Sequence, residues 1–321
     1  MKKFMIIGAA ALMLVSGVSG VAAIAAQPVS ESPARTTEAS AKTDYVDCKF
    51  NCRDFTGLDV SGIVKVKLAK SDFYKVKVTL PEELAEYLDV HVSEGVLRIG
   101  WSKNIPSRIQ RKLGDWTCTA EVTMPELRKL EMSGATSLSC EDTFELGHRD
   151  FSLEMSGASS ISSLKVNAEE LEAEISGGCS CSISGNFREA DLDLAGASNG
   201  RFEINADKLE IDTSGATKTK VNGEFGKVGV DASGACDVTL TGRAGWFEVD
   251  ASGACKVNAL NFNAQNAVLE TSGASICNVN VERSITIEDA SGASSINYKA
   301  PKDLGVNIKS LGRSASLKRV N

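Results

Sequence analysis

Histidine is almost missing: the chain has two, His91 and His148, in 321 residues. Two imidazoles cannot serve as bases for a nucleophile that recurs along the chain, and the cysteine spacings are not those of a zinc site. Basic residues are also in deficit, with 35 Lys and Arg against 42 Asp and Glu and a net charge of −7. A phosphate backbone needs the opposite balance, so a nucleic-acid partner is disfavoured. Long apolar runs are confined to the start, in MKKFMIIGAAALMLVSGVSGVAAIAA. No later stretch is long enough to span a membrane. No cysteine lies in or just after that run, the first being Cys48, which leaves lipoprotein attachment without support.

The leader itself is informative. Lys2 and Lys3, an apolar run and the small-residue site Ala23-Ile24-Ala25 predict a secretory signal peptide over residues 1–26, so the chain is expected to be exported. Its removal takes two lysines and moves the net charge from −7 to −9. Residues 27–44, rich in Ser, Thr, Ala and Pro, read as a flexible leader. The periplasm, the outer surface and the medium all remain open as destinations.

The remainder is dominated by one element. Ser-Gly-Ala or a close variant recurs with its glycine at 134, 157, 177, 196, 215, 234, 253, 273 and 292, at intervals of 19 or 20 after a first step of 23. Earlier and later copies stand at Ser61-Gly62-Ile63 and Leu311-Gly312-Arg313. Apolar residues alternate on both sides of each glycine, as in Leu192 and Leu194 before it and Val238 and Leu240 after it. Period two means strands. Nineteen residues are too few for a propeller blade, and like residues at a constant interval favour parallel stacking of coils. The expected fold is an all-β, three-sided parallel β-helix, with residues 45–132 as an N-terminal cap and irregular first coils, and 133–321 as regular coils with a C-terminal cap. Nine coils spaced by about 4.8 Å would extend roughly 40 Å. A short helix is expected at 81–88, started by Pro81.

Stacking converts sequence positions into columns. Two places after the glycine stand Thr136, Ser159, Cys179, Ser198, Thr217, Cys236, Cys255, Ser275 and Ser294. Cysteine is expected there as a small buried residue exchangeable with Ser and Thr, and Cys181 and Cys277, four places after, as core. Cys48 and Cys52 could bridge across a turn, unless that segment is one extended strand. Three places before the glycine an acid occurs in every coil: Glu131, Glu154, Glu174, Asp193, Asp212, Asp231, Asp250, Glu270 and Asp289, with Asp59 ahead of Gly62. Alternation turns this column outward. Neighbouring like charges cost on the order of 1 kcal/mol per pair even in water. Three readings stand: a solvated face partly balanced by Arg201, Lys218, Lys220 and Lys256 across the corner; weak surface Ca²⁺ bridging neighbouring coils; or docking of a basic partner. No other cofactor is expected. Residues 101–116 form a basic, aromatic exception, with Lys103, Arg108, Arg111 and Lys112 between Trp101 and Trp116. They read either as a glycan-binding loop or as an insertion packed over the first coils.

The Ser-Gly-Ala repeat, preceded by LDVSGIVKVKL and VSEGVLRIG, resembles the head GIN domain family, also labelled putative auto-transporter adhesins, over roughly residues 50–318. The resemblance implies a right-handed parallel β-helix on an exported bacterial protein, and it supplies no catalytic residues. An autotransporter would need a translocating barrel, for which no segment follows the repeats before Asn321. The expected function is non-enzymatic, as an adhesin or cell-envelope interaction module whose partner is a glycan or an envelope protein. Two alternatives stand beside it: a polysaccharide lyase or hydrolase using Asp237 with Asp231 or Asp250 near Lys218 and Lys256, or an envelope scaffold without ligand.

Overall fold

The computed structural model describes residues 43–320. The predicted signal peptide and all but the last two residues of the leader lie outside that range.

The alternating pattern folds as expected, into a parallel β-solenoid of about ten turns. Register follows the glycine count. Asp193 pairs with Asp212, Asp212 with Asp231 and Asp231 with Asp250, each one coil apart. Within a coil such as residues 199–217, side chains alternate in and out until two successive residues face solvent at Asp207 and Lys208, and again at Ser214–Ala216. Coil-to-coil pairing lapses at 204–205 and at 207, which separates two long sides, 199–203 and 208–213, from a short one around Ala206. Inward positions carry Phe202, Ile204, Leu209 and Ile211, all buried, and their counterparts in other coils form one continuous core.

At the Ser-Gly-Ala corner the coils approach most closely. The Ala216 N–H donates to the Gly196 carbonyl at 2.7 Å, and Ala235 to Gly215 in the same way. Gly215 has φ +82°, and a Cβ there would stand 2.6 Å from the Gly196 oxygen. Glycine therefore satisfies both the backbone angle and the stacking distance. The residue two places on closes the corner: Ser159 Oγ donates to the Ser156 carbonyl and Ser198 Oγ to Ala195, each at 2.8 Å. Cys236 Sγ does the same to Ser233 at 2.9 Å. Ser, Thr and Cys alternate in this column because each is small enough for the buried corner; the donor is not used in every coil, since Thr217 Oγ1 and Ser275 Oγ are buried without a partner.

Residues 45–132 depart from simple coiling. Gly57–Gly62 pairs in parallel with Lys129–Gly134 on one side and Val96–Trp101 on the other. Lys65–Lys70 likewise lies between Ser137–Glu145 and Thr119–Met124. Chain order is thus not stacking order: after one coil the chain leaves, builds a cap and returns beneath its own start. The cap is antiparallel, with Lys75–Pro81 between Tyr45–Phe50 and Thr119–Met124, and Leu88–Ser93 against Val96–Trp101. Antiparallel strands of this kind end the parallel stack and limit its open edge. The helix expected at 81–88 is a 3-10 helix, Glu82–Tyr87; six residues without a side-chain cap are too few to sustain an α-helix.

Candidate functional site

The acidic column is one continuous ladder, with a register shift just before its last step at Glu270. Asp59, Glu131, Glu154, Glu174, Asp193, Asp212, Asp231, Asp250, Glu270 and Asp289 are successive register partners. Its N-terminal end is neutralised: Asp59 pairs with Arg98 at 2.8 Å, and Lys129 bonds Glu131 and lies 3.6 Å from Glu154. The seven acids from Glu174 to Asp289 have no Lys or Arg partner among the described residues. The four cations expected to balance the ladder do not reach it. Lys218, Lys220 and Arg201 lie on the side beyond the corner, where Arg201 bonds Glu203 at 2.6 Å. Lys218 and Lys256 flank Asp237 in a column of their own. That arrangement also separates Asp237 from Asp231 and Asp250, the carboxylates with which a glycosidase-like pair would have been formed.

Electrostatics follows from the crowding. Partial desolvation, then the carboxylates of Asp231, Asp191 and Asp193, push Asp212 up to about 6. Desolvation followed by Asp231 raises Asp250, and desolvation followed by Asp250 and Asp289 raises Glu270. Asp289 goes the other way, lowered by hydrogen bonds from Ser310 and Ser291. A second partial ladder runs parallel, Glu172, Asp191 and Glu210, where Asp191 is raised by desolvation and then by Glu210. A groove of about 380 Å³ follows the N-terminal half of the main ladder, and Ser133, Ser156 and Ser176 share its lining with the acids. No three His, Cys, Asp or Glu side chains converge in metal-ligand fashion among the described residues.

The basic, aromatic segment has a different geometry. Trp101 and Trp116 are partly buried against the core and meet edge to face, with ring centroids 5.8 Å apart. A Cβ at Gly62 would collide with the Trp101 indole, which occupies the corner column one step before the first glycine. Lys112 bonds Glu83 at 2.9 Å, and Lys103 lies 3.6 Å from Glu86 and over the Tyr87 ring. Arg108 and Arg111 sit on the helix Ser107–Leu113, whose Ile109 and Leu113 face the core. The tryptophans fill space at the cap, and two of the four basic residues are already paired.

All nine cysteines are free thiols. Burial pushes Cys181, Cys277 and Cys118 up to about 12, and Cys255 up to about 11. Cys48 lies within the strand Tyr45–Phe50 and Cys52 beyond it, and neither is bridged.

One polar column escaped the sequence reading. Asn186 Nδ2 donates to Asn167 Oδ1 at 3.0 Å, and Asn205 Nδ2 to Asn186 Oδ1 at 2.9 Å. The Glu224 N–H then donates to Asn205 Oδ1, and Arg243 bonds Glu224 at 2.6 Å. The column begins at Asn167, whose Nδ2 donates to the Glu145 carboxylate of the preceding coil. Two intervals of nineteen, from Asn167 to Asn186 to Asn205, are the signal that could have found it.

These features define a class: a capped parallel β-solenoid whose corners and ladders repeat once per coil. Within that class the chain belongs to the family described as "Putative auto-transporter adhesin, head GIN domain", which matches residues 54–202 and 198–301. No curated protein matches it. Among solved structures it is similar to a putative adhesin from Parabacteroides distasonis, at 16% identity and TM-score 0.46, covering 87% of this chain and 98% of that one. A putative adhesin from Parabacteroides merdae shows 16% identity and TM-score 0.43 with the same coverage. A protein from Parabacteroides distasonis named as a putative lipid binding protein shows 19% identity and TM-score 0.42, also at 87% and 98%.

Proposed function

We propose that this protein is an exported adhesion or envelope-interaction module that works by binding, without catalysis, and that its acidic ladder is the contact face for a basic polypeptide surface. The observation that carries the reading is the run of seven carboxylates from Glu174 to Asp289, one per coil, with no cationic partner among the described residues. Aligned like charges at this spacing oppose folding, and no cation of the same molecule relieves them among the described residues. A lysine- or arginine-rich partner would lower that repulsion on binding and would be steered to the face by its field. The family's adhesin description and the predicted signal peptide favour a partner met outside the cytoplasm. Uniformity of the coils favours binding over chemistry, because a catalytic centre requires a few unlike groups converging at one place.

The test is adsorption of the full chain to immobilised polylysine, set against the quadruple variant Asp193→Asn, Asp212→Asn, Asp231→Asn, Asp250→Asn. Strong binding that weakens steeply with salt and is lost in the variant is expected. Equal binding by variant and parent would remove the ladder from the function.

A further inference from the structure

A concavity larger than the ladder groove lies elsewhere, at the bend between the short side and the side 208–213. It has a volume of about 860 Å³ and runs from Asn186 to Glu282, across six coils. Five steps of about 4.8 Å make it roughly 24 Å long. One wall is the polar column Asn186, Asn205, Glu224, Arg243 and Asn263. The floor is made by missing side chains: Gly226 and Gly245 stack in successive coils, between Asp207 on one side and Gln265 on the other. Trp246 follows Gly245 directly, at the bend where two consecutive residues leave the core. It is 41% exposed, whereas the other two tryptophans are spent on cap packing.

We propose that this groove binds a neutral, extended oligosaccharide laid along the solenoid axis, with Trp246 as a stacking platform at its edge. Amides, a guanidinium and carboxylates give the mixture of donors and acceptors that sugar hydroxyls require. Trp246 is not itself a lining residue, but it adjoins Gly245, which is, and its exposed indole offers a face to a pyranose ring. Successive coils place one polar side chain of this wall about every 4.8 Å, so a chain laid along the axis meets a hydrogen-bonding group at each step. A peptide added as an extra strand is disfavoured because the flanking strands are paired coil to coil and run across the groove's axis, leaving no strand edge along it. Anionic glycans are disfavoured by Asp207, Glu224 and Glu282, since the one arginine, Arg243, is already bonded to Glu224. The groove and the acidic ladder stand at opposite ends of the same side, from Asp207 to Asp212, about 16 Å apart.

Isothermal titration of the full chain with cellohexaose, xylohexaose, mannohexaose and chitohexaose tests the proposal, with hexagalacturonate as the charged control. At least one neutral hexamer binds, more tightly than its dimer, and quenches or shifts tryptophan fluorescence. Trp246→Ala weakens that binding by about tenfold, the size of one aromatic contact. Gln265→Ala, a lining residue on the next coil, weakens it measurably as a second check. Trp246 is exposed, so the melting temperature of Trp246→Ala stays near that of the parent. No binding by any neutral hexamer at millimolar concentration overturns the proposal. So does binding by hexagalacturonate alone, or binding left unchanged in both variants. Neutral sugars do not compete for carboxylate–lysine contacts, so failure here and failure of the polylysine experiment are separate results.

Discussion

Replacing Gly215 by alanine asks how much of the fold depends on the closeness of its corners. The substitution adds one methyl group and nothing polar. Two costs arise at different places. An L-residue held at φ +82° loses about 1–2 kcal/mol relative to glycine. The new Cβ also stands 2.6 Å from the Gly196 carbonyl oxygen and 3.1 Å from its nitrogen, both backbone atoms that no rotamer change can move. Separating the coils enough to admit it adds about 1–3 kcal/mol of packing strain. It also stretches the 2.7 Å bond from Ala216 N–H to Gly196, worth about 1 kcal/mol. The expected loss is about 3–6 kcal/mol, or roughly 5–10 °C in melting temperature for a domain of this size. Gly147 supplies the control, because it has φ +63° and nothing within 4 Å of an added Cβ. Gly147→Ala should cost only the dihedral, about 1–2 kcal/mol. Guanidinium denaturation of both variants and the parent, with m-values compared to confirm like transitions, gives the two numbers. Equal midpoints for Gly215→Ala and Gly147→Ala would refute the stacking argument and leave the corner glycines with a dihedral role alone.

Four further outcomes follow from the same geometry. Asp212, raised from 3.8 to about 6, holds its proton more tightly in the folded state, so stability falls as pH rises from about 4 to 6; Asp212→Asn should raise the unfolding free energy at pH 7, by roughly 1 kcal/mol or less given solvent screening, with a matching rise in melting temperature, and leave both unchanged at pH 4. A gain equal at both pH values would show that charge is not its source. Millimolar Ca²⁺ and Mg²⁺ should raise the melting temperature equally, as screening does, because the carboxylates stand one per coil instead of converging; a Ca²⁺-specific rise reversed by chelator would establish bridging between coils. Trp101→Ala and Trp116→Ala should each lower stability by about 3 kcal/mol, while Lys103→Ala and Arg108→Ala stay within about 0.5 kcal/mol, as urea titration will show. A thiol reagent should reach at most the half-buried Cys48 and Cys52 in the native protein and the other seven cysteines only on unfolding; rapid native labelling of Cys236 or Cys255 would mean that their corner opens.

The regular coils were legible because their register is a count. Once the glycines recur at nineteen or twenty, the placing of Asp231 beside Asp212 and Asp250, and of Cys236 inside the corner, follows from alternation alone. The cap was not legible for the opposite reason. Gly62 and Gly134 are corner neighbours although 72 residues separate them, and Val96–Trp101 stacks ahead of a strand that precedes it in the chain. No local pattern encodes an out-of-order return. The antiparallel pairing of Tyr45–Phe50 with Lys75–Pro81 is likewise a long-range choice. At the candidate sites the ladder could be read, but not its isolation. Lys218 and Lys256 are near the acids in sequence, and only the corner, turning between them, sends them to another side.

Counting from one landmark also explains what was missed. Columns close to the glycine keep their phase, whereas those nine to twelve residues beyond it absorb the occasional twenty-residue coil and the bulges between Thr239 and Thr241 and between Ala259 and Asn263. The amide ladder, the glycine floor and Trp246 all lie in that drifting region, and an isolated tryptophan there looks like any core aromatic. Burial separates the two cases: Phe247 is wholly buried and Trp246, one place earlier, is 41% exposed. A one-residue slip on a strand exchanges core for surface, so position relative to the nearest bend decides whether a residue builds the solenoid or faces a ligand. Applied to the whole coil, that rule gives the corner to stacking, the end of the long side next to it to charge, and the far bend to recognition. Because each assignment repeats from coil to coil, any partner of this molecule is expected to be elongated along the axis, in contact with several coils at once.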